Sequence, residues 1–344
     1  MKESIVYSDL DTGRKHRGLS SDHFERHPCF NRDAIHAYAR IHLPVAPRCN
    51  VQCRFCDRKF SCVNESRPGV TADVLTPRQA LERLRLSVQK IPNISVVGIA
   101  GPGDPFANPE ETLETFHLVR RDFPGLMLCV SSNGLNLLPY VDDIADLGVS
   151  HVTVTVNAVN ALIGKDIYEW VSVCGKAMGG EQAASMLWER QKKAIIALSS
   201  RRIIVKINTV CVPGINDAHI PEISRTVAAL GASLHNIIPL IPVRGTPFAG
   251  IGEPSREMMG EIRRMAKLYL PQLEHCSRCR ADACGLLGSS PSGEPAEQIH
   301  DRVSECPARE RCPRGSATGD RKSELPSPGT ISAVFLPQER RPAT

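Results

Sequence analysis

Between residues 94 and 241 short β-branched runs alternate with stretches of helical period. The runs are ISVVGIA (94–100), LMLCVSS (126–132), HVTVTVN (151–157), RIIVKINTV (202–210) and NIIPLI (236–241). LPVAP (43–47) reads as an earlier strand, which makes six βα units. Thr76-Pro77 opens one helix, RQALERLRLSVQKI. Asn108-Pro109-Glu110-Glu111 opens another, with an N-cap, a proline in the first turn and two acids at the positive end of the helix dipole. Repeated βα units imply a parallel sheet, here an α/β partial (β/α)6 barrel. VSVCGKAMGGEQAASM (171–186) follows neither period clearly.

Alternation within the runs sorts their side chains onto two faces. Val152, Val154 and Val156 share one face, and Thr153, Thr155 and Asn157 the other. Cys129, Ser131 and Asn133 fall together, as do Lys206 and Asn208. If the valines pack under helices, the inner wall is polar, whereas a barrel interior normally fills with branched aliphatics. A polar lumen points to a bound polar ligand. The strand ends GPGDP (101–105), SSNG (131–134), NAVN (157–160) and VPGIND (212–217) fall at the end where such folds build their sites.

The flanks differ from this core, which spans residues 23–288. Residues 1–22 are polar and aperiodic, and residues 289–344 are rich in Ser, Pro, Gly and Arg, so both read as disordered. Cys306 and Cys312 lie in the tail, where two thiols alone cannot fill a structural metal site. At 344 residues the chain can bury a large core without disulfides. Its 13 cysteines, an odd number bunched near 49–62 and 276–284, fit metal ligation in a reducing compartment. The start MKESIVYSDLDTGRKHRG has no apolar h-region, and no stretch approaches the roughly 18 apolar residues of a membrane span. The expectation is a cytoplasmic protein without a membrane partner. A net charge of +5 spread along the chain and 5% aromatic content argue against nucleic acid.

Cys49-x3-Cys53-x2-Cys56 follows the first strand. Three thiolates on one loop can hold three irons of a [4Fe-4S] cube and leave the fourth iron open. A zinc site more often pairs two C-x2-C units. From spacing alone Cys62 is either a fourth ligand closing this site or part of another. Glu65 and Arg67, in NESRPG, are candidates for proton transfer or for steadying an anionic cluster, with a salt-bridged turn as the alternative. Cys174, Cys211 and Cys284 lie outside the ligand pattern.

The triplet, with Phe55 before its last cysteine, resembles the radical S-adenosylmethionine (SAM) superfamily. HPCFN (27–31), CNVQCRFCDRKFSCVNESRPGV (49–70), GIAGPGDPFANP (98–109), LCVSSNGL (128–135), PGINDAH (213–219) and HCSRCRADACGLLG (275–288) are similar to the NifB family of nitrogenase cofactor assembly enzymes. The resemblance implies a cluster on Cys49, Cys53 and Cys56 that binds SAM at its open iron and cleaves a C–S bond to give the 5′-deoxyadenosyl radical. It implies SAM contacts from Gly101, Gly103, Asp104, Ser131, Asn133, Asn157 and Asn208. Two further [4Fe-4S] clusters would be substrates, held by His27, Cys29, Cys62, Cys129, Cys276 and Cys279, with the C-terminal cysteine segment closing the barrel mouth. They would be fused around a SAM-derived carbide, with an extra sulfur, into the eight-iron precursor of the nitrogenase cofactor. Implied partners are iron–sulfur cluster donors, nitrogenase cofactor carrier and scaffold proteins, and an electron donor such as ferredoxin or flavodoxin. Many family members add a C-terminal carrier domain, for which this tail is too short. The alternative is a radical SAM enzyme acting on a peptide or small molecule, with auxiliary clusters for electron transfer.

Overall fold

The computed structural model describes residues 25–276 and 278–287. The arm 1–22 and the tail 289–344, including Cys306 and Cys312, lie outside the described residues. The strands are β1 (Ala39–His42), β2 (Val51–Cys53), β3 (Ile94–Ile99), β4 (Met127–Ser132), β5 (Val149–Thr155), β6 (Tyr168–Val173), β7 (Lys176–Met178), β8 (Ile204–Cys211), β9 (Leu234–Pro239) and β10 (Cys284–Gly285). Six of them pair in parallel in the order β1-β3-β4-β5-β8-β9, and β10 adds antiparallel to β1. This is the expected partial barrel of six units. Its first strand lies earlier than LPVAP suggests, because Pro44 and Pro47 have no N–H for a ladder. Leu43 still bonds to Gly98 O at 2.9 Å and Ala46 bridges to Pro102, so the chain runs on along the sheet as a loop.

Side-chain parity holds. Val152, Val154 and Val156 are fully buried in the main core with Ala194, Ile195 and Leu198 of the helix Gly180–Ser200. Each such aliphatic contributes about 1.5–3 kcal/mol by leaving water. Thr76 caps the helix Pro77–Lys90 through a full capping box with Gln79. Asn108 does sit at the N-cap of Pro109–Asp122, but its side chain does not cap. Its amide is used elsewhere, as described below.

The stretch 171–186, where no period was clear, divides between a hairpin and a helix. β6 and β7 turn at Cys174-Gly175, both at positive φ as a tight hairpin turn requires, and the helix starts at Gly180. β6 pairs antiparallel with β2, forming a small second sheet beneath the cysteine loop.

The open side of the barrel lies between its edge strands β9 and β1. The C-terminal cysteine segment crosses this gap: His235 and Leu273 N–H groups bond to Pro271 O and His235 O at 2.9 and 2.8 Å, and His42 N bonds to Ala283 O at 2.8 Å. Arg40 fastens the far end by donating to Gly285 O and Leu286 O. Phe30, from the N-terminal stretch, packs on Ile204, Leu234 and Leu273 near the starts of β8 and β9. No helix among the described residues is long and apolar enough to cross a membrane.

Candidate active site

The cysteine loop is held by its backbone. Val51 and Cys53 lie in β2, opposite Val171 and Tyr168. Gln52 donates to Cys53 O and Cys56 O at 3.1 and 2.7 Å, folding the loop back on itself. Phe55 is buried against Phe248, with ring centroids 6.3 Å apart. N–H groups reach the sulfurs: Asn133 Nδ2 lies 3.7 Å from Cys49 Sγ, and Asn64 Nδ2 lies 3.4 Å from Cys62 Sγ.

The glycine-rich loop locks onto this one. Gly103 N and Asp104 N donate to Ala46 O and Arg48 O at 2.6 and 2.8 Å, and Cys62 N donates to Pro102 O at 2.8 Å. A Cβ on Gly103 would collide with the Arg48 carbonyl, so glycine is required here. Asp104 is buried and accepts from Asn133 N at 2.6 Å, Phe106 N at 2.9 Å and Ser132 Oγ at 3.0 Å. Asn108 donates to Arg48 O and Asp104 O, both at 2.8 Å, and accepts from Arg48. Asn157 closes β5 on β8 by accepting from Val210 N at 2.9 Å. Asp104 and Asn157 therefore hold the loops; Ser131 and Asn208 line open space, and Asn208 also donates to Asn64 O at 3.1 Å and accepts from Asn236 at 3.1 Å.

That space is the barrel lumen, a cavity of about 60 Å³. His27, Cys29, Cys129, Cys276 and Cys279 line it together, so five of the six expected auxiliary ligands converge. Cys62 does not line it; the thiols acting on Cys62 electrostatically are Cys56 and Cys49. Glu65 lines the lumen and accepts from Asn208 at 2.9 Å and Thr155 at 3.3 Å. Arg67 is exposed and donates to Arg278 O at 3.2 Å, tying its loop to the C-terminal segment.

Burial governs the electrostatics. It pushes the Cys49 thiol up to about 11, aided by the Asp104 carboxylate, and Cys29 and Cys129 up to about 12. Burial also raises Glu65, against the opposing pull of Lys206. Lys206 stands out among these groups. Burial alone would lower it, but Glu65, Cys29, Cys276 and Cys129 hold it above the ordinary lysine value. Arg40 donates to Cys279 Sγ at 2.9 Å.

His42 and Lys206 line the lumen too, and neither was among the expected site residues. The His42 ring is wedged so tightly against Gly98 that a Cβ there would lie 3.0 Å from its Cδ2. Its Nδ1 lies 3.2 Å from Arg280 O, and a carbonyl accepts only, so Nδ1 carries the proton and Nε2 keeps its lone pair. That is the usual arrangement of a metal-bound histidine. His27 is the reverse: Nδ1 accepts from Cys29 N at 3.2 Å, which places the proton on Nε2. The signals in the sequence were a histidine at the end of the first strand, seven residues before Cys49, and a lysine on the polar face of β8.

These residues fit an iron–sulfur cluster. No three of the described His, Cys, Asp and Glu side chains crowd closely enough for a single ion. A single zinc draws its thiolates to about 2.3 Å from one point, while a cube takes one thiolate per corner. The amide N–H groups at Cys49 and Cys62 add the hydrogen bonds that stabilise sulfur charge.

A parallel partial barrel with a cysteine triplet after its first strand defines a class, and the chain belongs to the Radical SAM superfamily, whose family profile matches residues 43–227. Within that class it is similar to the FeMo cofactor biosynthesis protein NifB of Chlorobaculum tepidum, 51% identical over 270 residues covering 78% of this chain and 64% of that protein. NifB of Klebsiella pneumoniae is 48% identical over 278 residues, 80% of this chain and 59% of that protein. The chain thus spans about three-fifths of the length of these relatives. A solved structure of methylornithine synthase (PylB) aligns over 68% of this chain and 63% of its own, with a TM-score of 0.46 and 15% identity.

Proposed function

We propose that the chain fuses two [4Fe-4S] substrate clusters, with a SAM-derived carbide and an extra sulfur, into the eight-iron precursor of the nitrogenase cofactor. The observation that carries this reading is the lumen: four cysteines from three separate segments line one cavity, and none of the Cys49, Cys53, Cys56 triplet is among them. Incomplete ligation leaves bare irons that can be joined, whereas four ligands each would lock both cubes. His42 joins Cys29, Cys129, Cys276 and Cys279 as a candidate ligand through Nε2. The triplet holds the resident cluster, which with SAM supplies reductive C–S bond cleavage. Gly101, Gly103, Ser131, Asn133 and Asn208 are the groups offered to SAM. Glu65 is held by Ser131, Asn208 and Thr155, which fixes its carboxyl where it would take and return a proton. Cluster donors, carrier and scaffold proteins and a ferredoxin or flavodoxin complete the scheme as partners.

Anaerobic reconstitution with iron and sulfide tests this. The expected content is about twelve irons per chain, three cubes of four. With SAM and reductant, both S-adenosylhomocysteine and 5′-deoxyadenosine should be released, and auxiliary iron should leave with the product. Release of 5′-deoxyadenosine alone, with all iron retained, would instead mark an enzyme of the peptide-modifying kind.

A further inference from the structure

Two polar atoms on the inner wall are buried without a hydrogen-bond partner, and the Lys206 ammonium lies beside them. Lys206 is 7% exposed and its ammonium donates to no described residue; the contact it makes is with the face of Phe30, 4.8 Å from the ring centroid. Thr153 lies opposite Lys206 in the β5–β8 register, and its Oγ1 is buried without a partner. His27 Nε2 is likewise buried without a partner, and its Nδ1 already accepts from Cys29 N, so Nε2 presents an N–H. The His27 ring stacks edgewise on the same Phe30 at 4.6 Å, so the His27 imidazole and the Lys206 ammonium flank one aromatic ring. All four residues line the lumen.

The Lys206 ammonium is held by the charge of Glu65 and the surrounding thiols yet hydrogen-bonded to none of them, and its cation–π contact compensates only part of the cost of placing it there. The occupant such donors suit is an anion, and one with acceptor atoms on an extended face. Around Lys206 stand Cys29, Cys129 and Cys276 on three different segments, with Glu65 on a fourth. A cube bound by thiolates is anionic, and its bridging sulfides accept hydrogen bonds.

We propose that Lys206, with Thr153 Oγ1 and His27 Nε2–H, forms a hydrogen-bonding floor for the bridging sulfides of a substrate cluster seated among Cys29, Cys129 and Cys276. The inference rests on the reading that the lumen holds substrate clusters. It gives His27 the part of a donor and not of a ligand. The floor neutralises thiolate charge in a low-dielectric space, and it makes the seated cluster easier to reduce, since net charge and hydrogen bonds to the sulfurs set cluster potentials.

The test uses the full chain reconstituted with ferrous iron and sulfide, without SAM, in the wild type and in Lys206→Met, Lys206→Arg and Thr153→Val. An electron paramagnetic resonance redox titration follows the auxiliary signal, with the signal of the Cys49, Cys53 and Cys56 cluster as internal reference. Lys206→Met should shift the auxiliary midpoint to more negative potential and release auxiliary iron to a chelator about tenfold faster. Lys206→Arg should restore most of both, and Thr153→Val should shift the midpoint in the same direction by less. An auxiliary midpoint and release rate in Lys206→Met equal to wild type would overturn the floor while leaving the cluster-substrate reading standing. Should Lys206→Met fail to fold, an unchanged midpoint in the near-isosteric Thr153→Val overturns it equally. Wild-type protein that takes up only about four irons overturns both.

Discussion

Two sets of buried polar residues in this barrel differ in how they are satisfied. At the loop end Asp104, Asn108 and Asn157 are buried with their bonds made inside the protein. Inside the lumen Thr153 and His27 are as deeply buried yet each keeps a polar atom without a partner, and Lys206, 7% exposed, donates to no described residue. Satisfied groups make a rigid frame, which suits a cofactor that stays. Unsatisfied ones cost stability in the empty protein and regain it when something binds. On the proposed function, the contrast would separate a permanent cluster from a cargo.

The most severe break in the comparison is Cys53→Ala. Cys53 is buried within β2, and its loss should abolish the resident cluster and reduce SAM cleavage to background, read as 5′-deoxyadenosine formed per chain. Acid should strike the lumen end next. His42 is pushed down to about 4 by burial and by Arg40, below the 6.5 of an unfolded chain. The folded state thus refuses a proton that the unfolded state takes. The stability of metal-free protein should be complete above about pH 6.5 and fall toward pH 4 by up to about 3 kcal/mol from this group, as urea unfolding across that range would register. His235, pushed down to about 3 by burial between Ser224 and Thr209, extends the loss further into acid.

Gly103→Ala probes the frame alone. A Cβ against the Arg48 carbonyl must displace one loop or the other, at a cost of about 2–3 kcal/mol visible as a lower Tm. Exchanging the two histidines sharpens the lumen side. His42→Ala should weaken auxiliary iron binding 10- to 100-fold. His27→Gln, which retains an N–H donor, should hold its iron within a few-fold of wild type, and equal losses in the two variants would contradict the roles given by their hydrogen bonds. Arg67→Ala should have the smallest effect: losing one exposed bond to Arg278 O costs about 0.5–1 kcal/mol and should show as faster proteolysis near residue 278.

Much of the frame could be read in advance because its signals are local. The valine and threonine alternation of β5, the capping box at Thr76 and the Cys49, Cys53, Cys56 spacing each lie within a dozen residues. The hairpin β6–β7 escaped notice because its turn is Cys-Gly and its partner β2 lies more than a hundred residues away. Asn108 looked like a cap, yet its amide is better satisfied by the carbonyls of Arg48 and Asp104, which folding brings within reach. Arg67, a candidate from its place in NESRPG, also ties its loop to the C-terminal segment through Arg278 O, a contact 211 residues away along the chain.

What the sequence determined by itself is the repeat, the face each strand turns inward, and the triplet on its loop, since period and spacing act over short distances. Which side chains meet in the lumen was decided by the tertiary structure alone. Cys29, Cys129 and Cys276 come together, with His42 and Lys206 among them, because closing the sheet between β9 and β1 brings distant segments to one wall. Cys62, only six residues from Cys56, is left outside that lumen. Proximity along the chain says little about proximity in a barrel, where each strand adds one residue to a given layer and the next strand follows only after a helix.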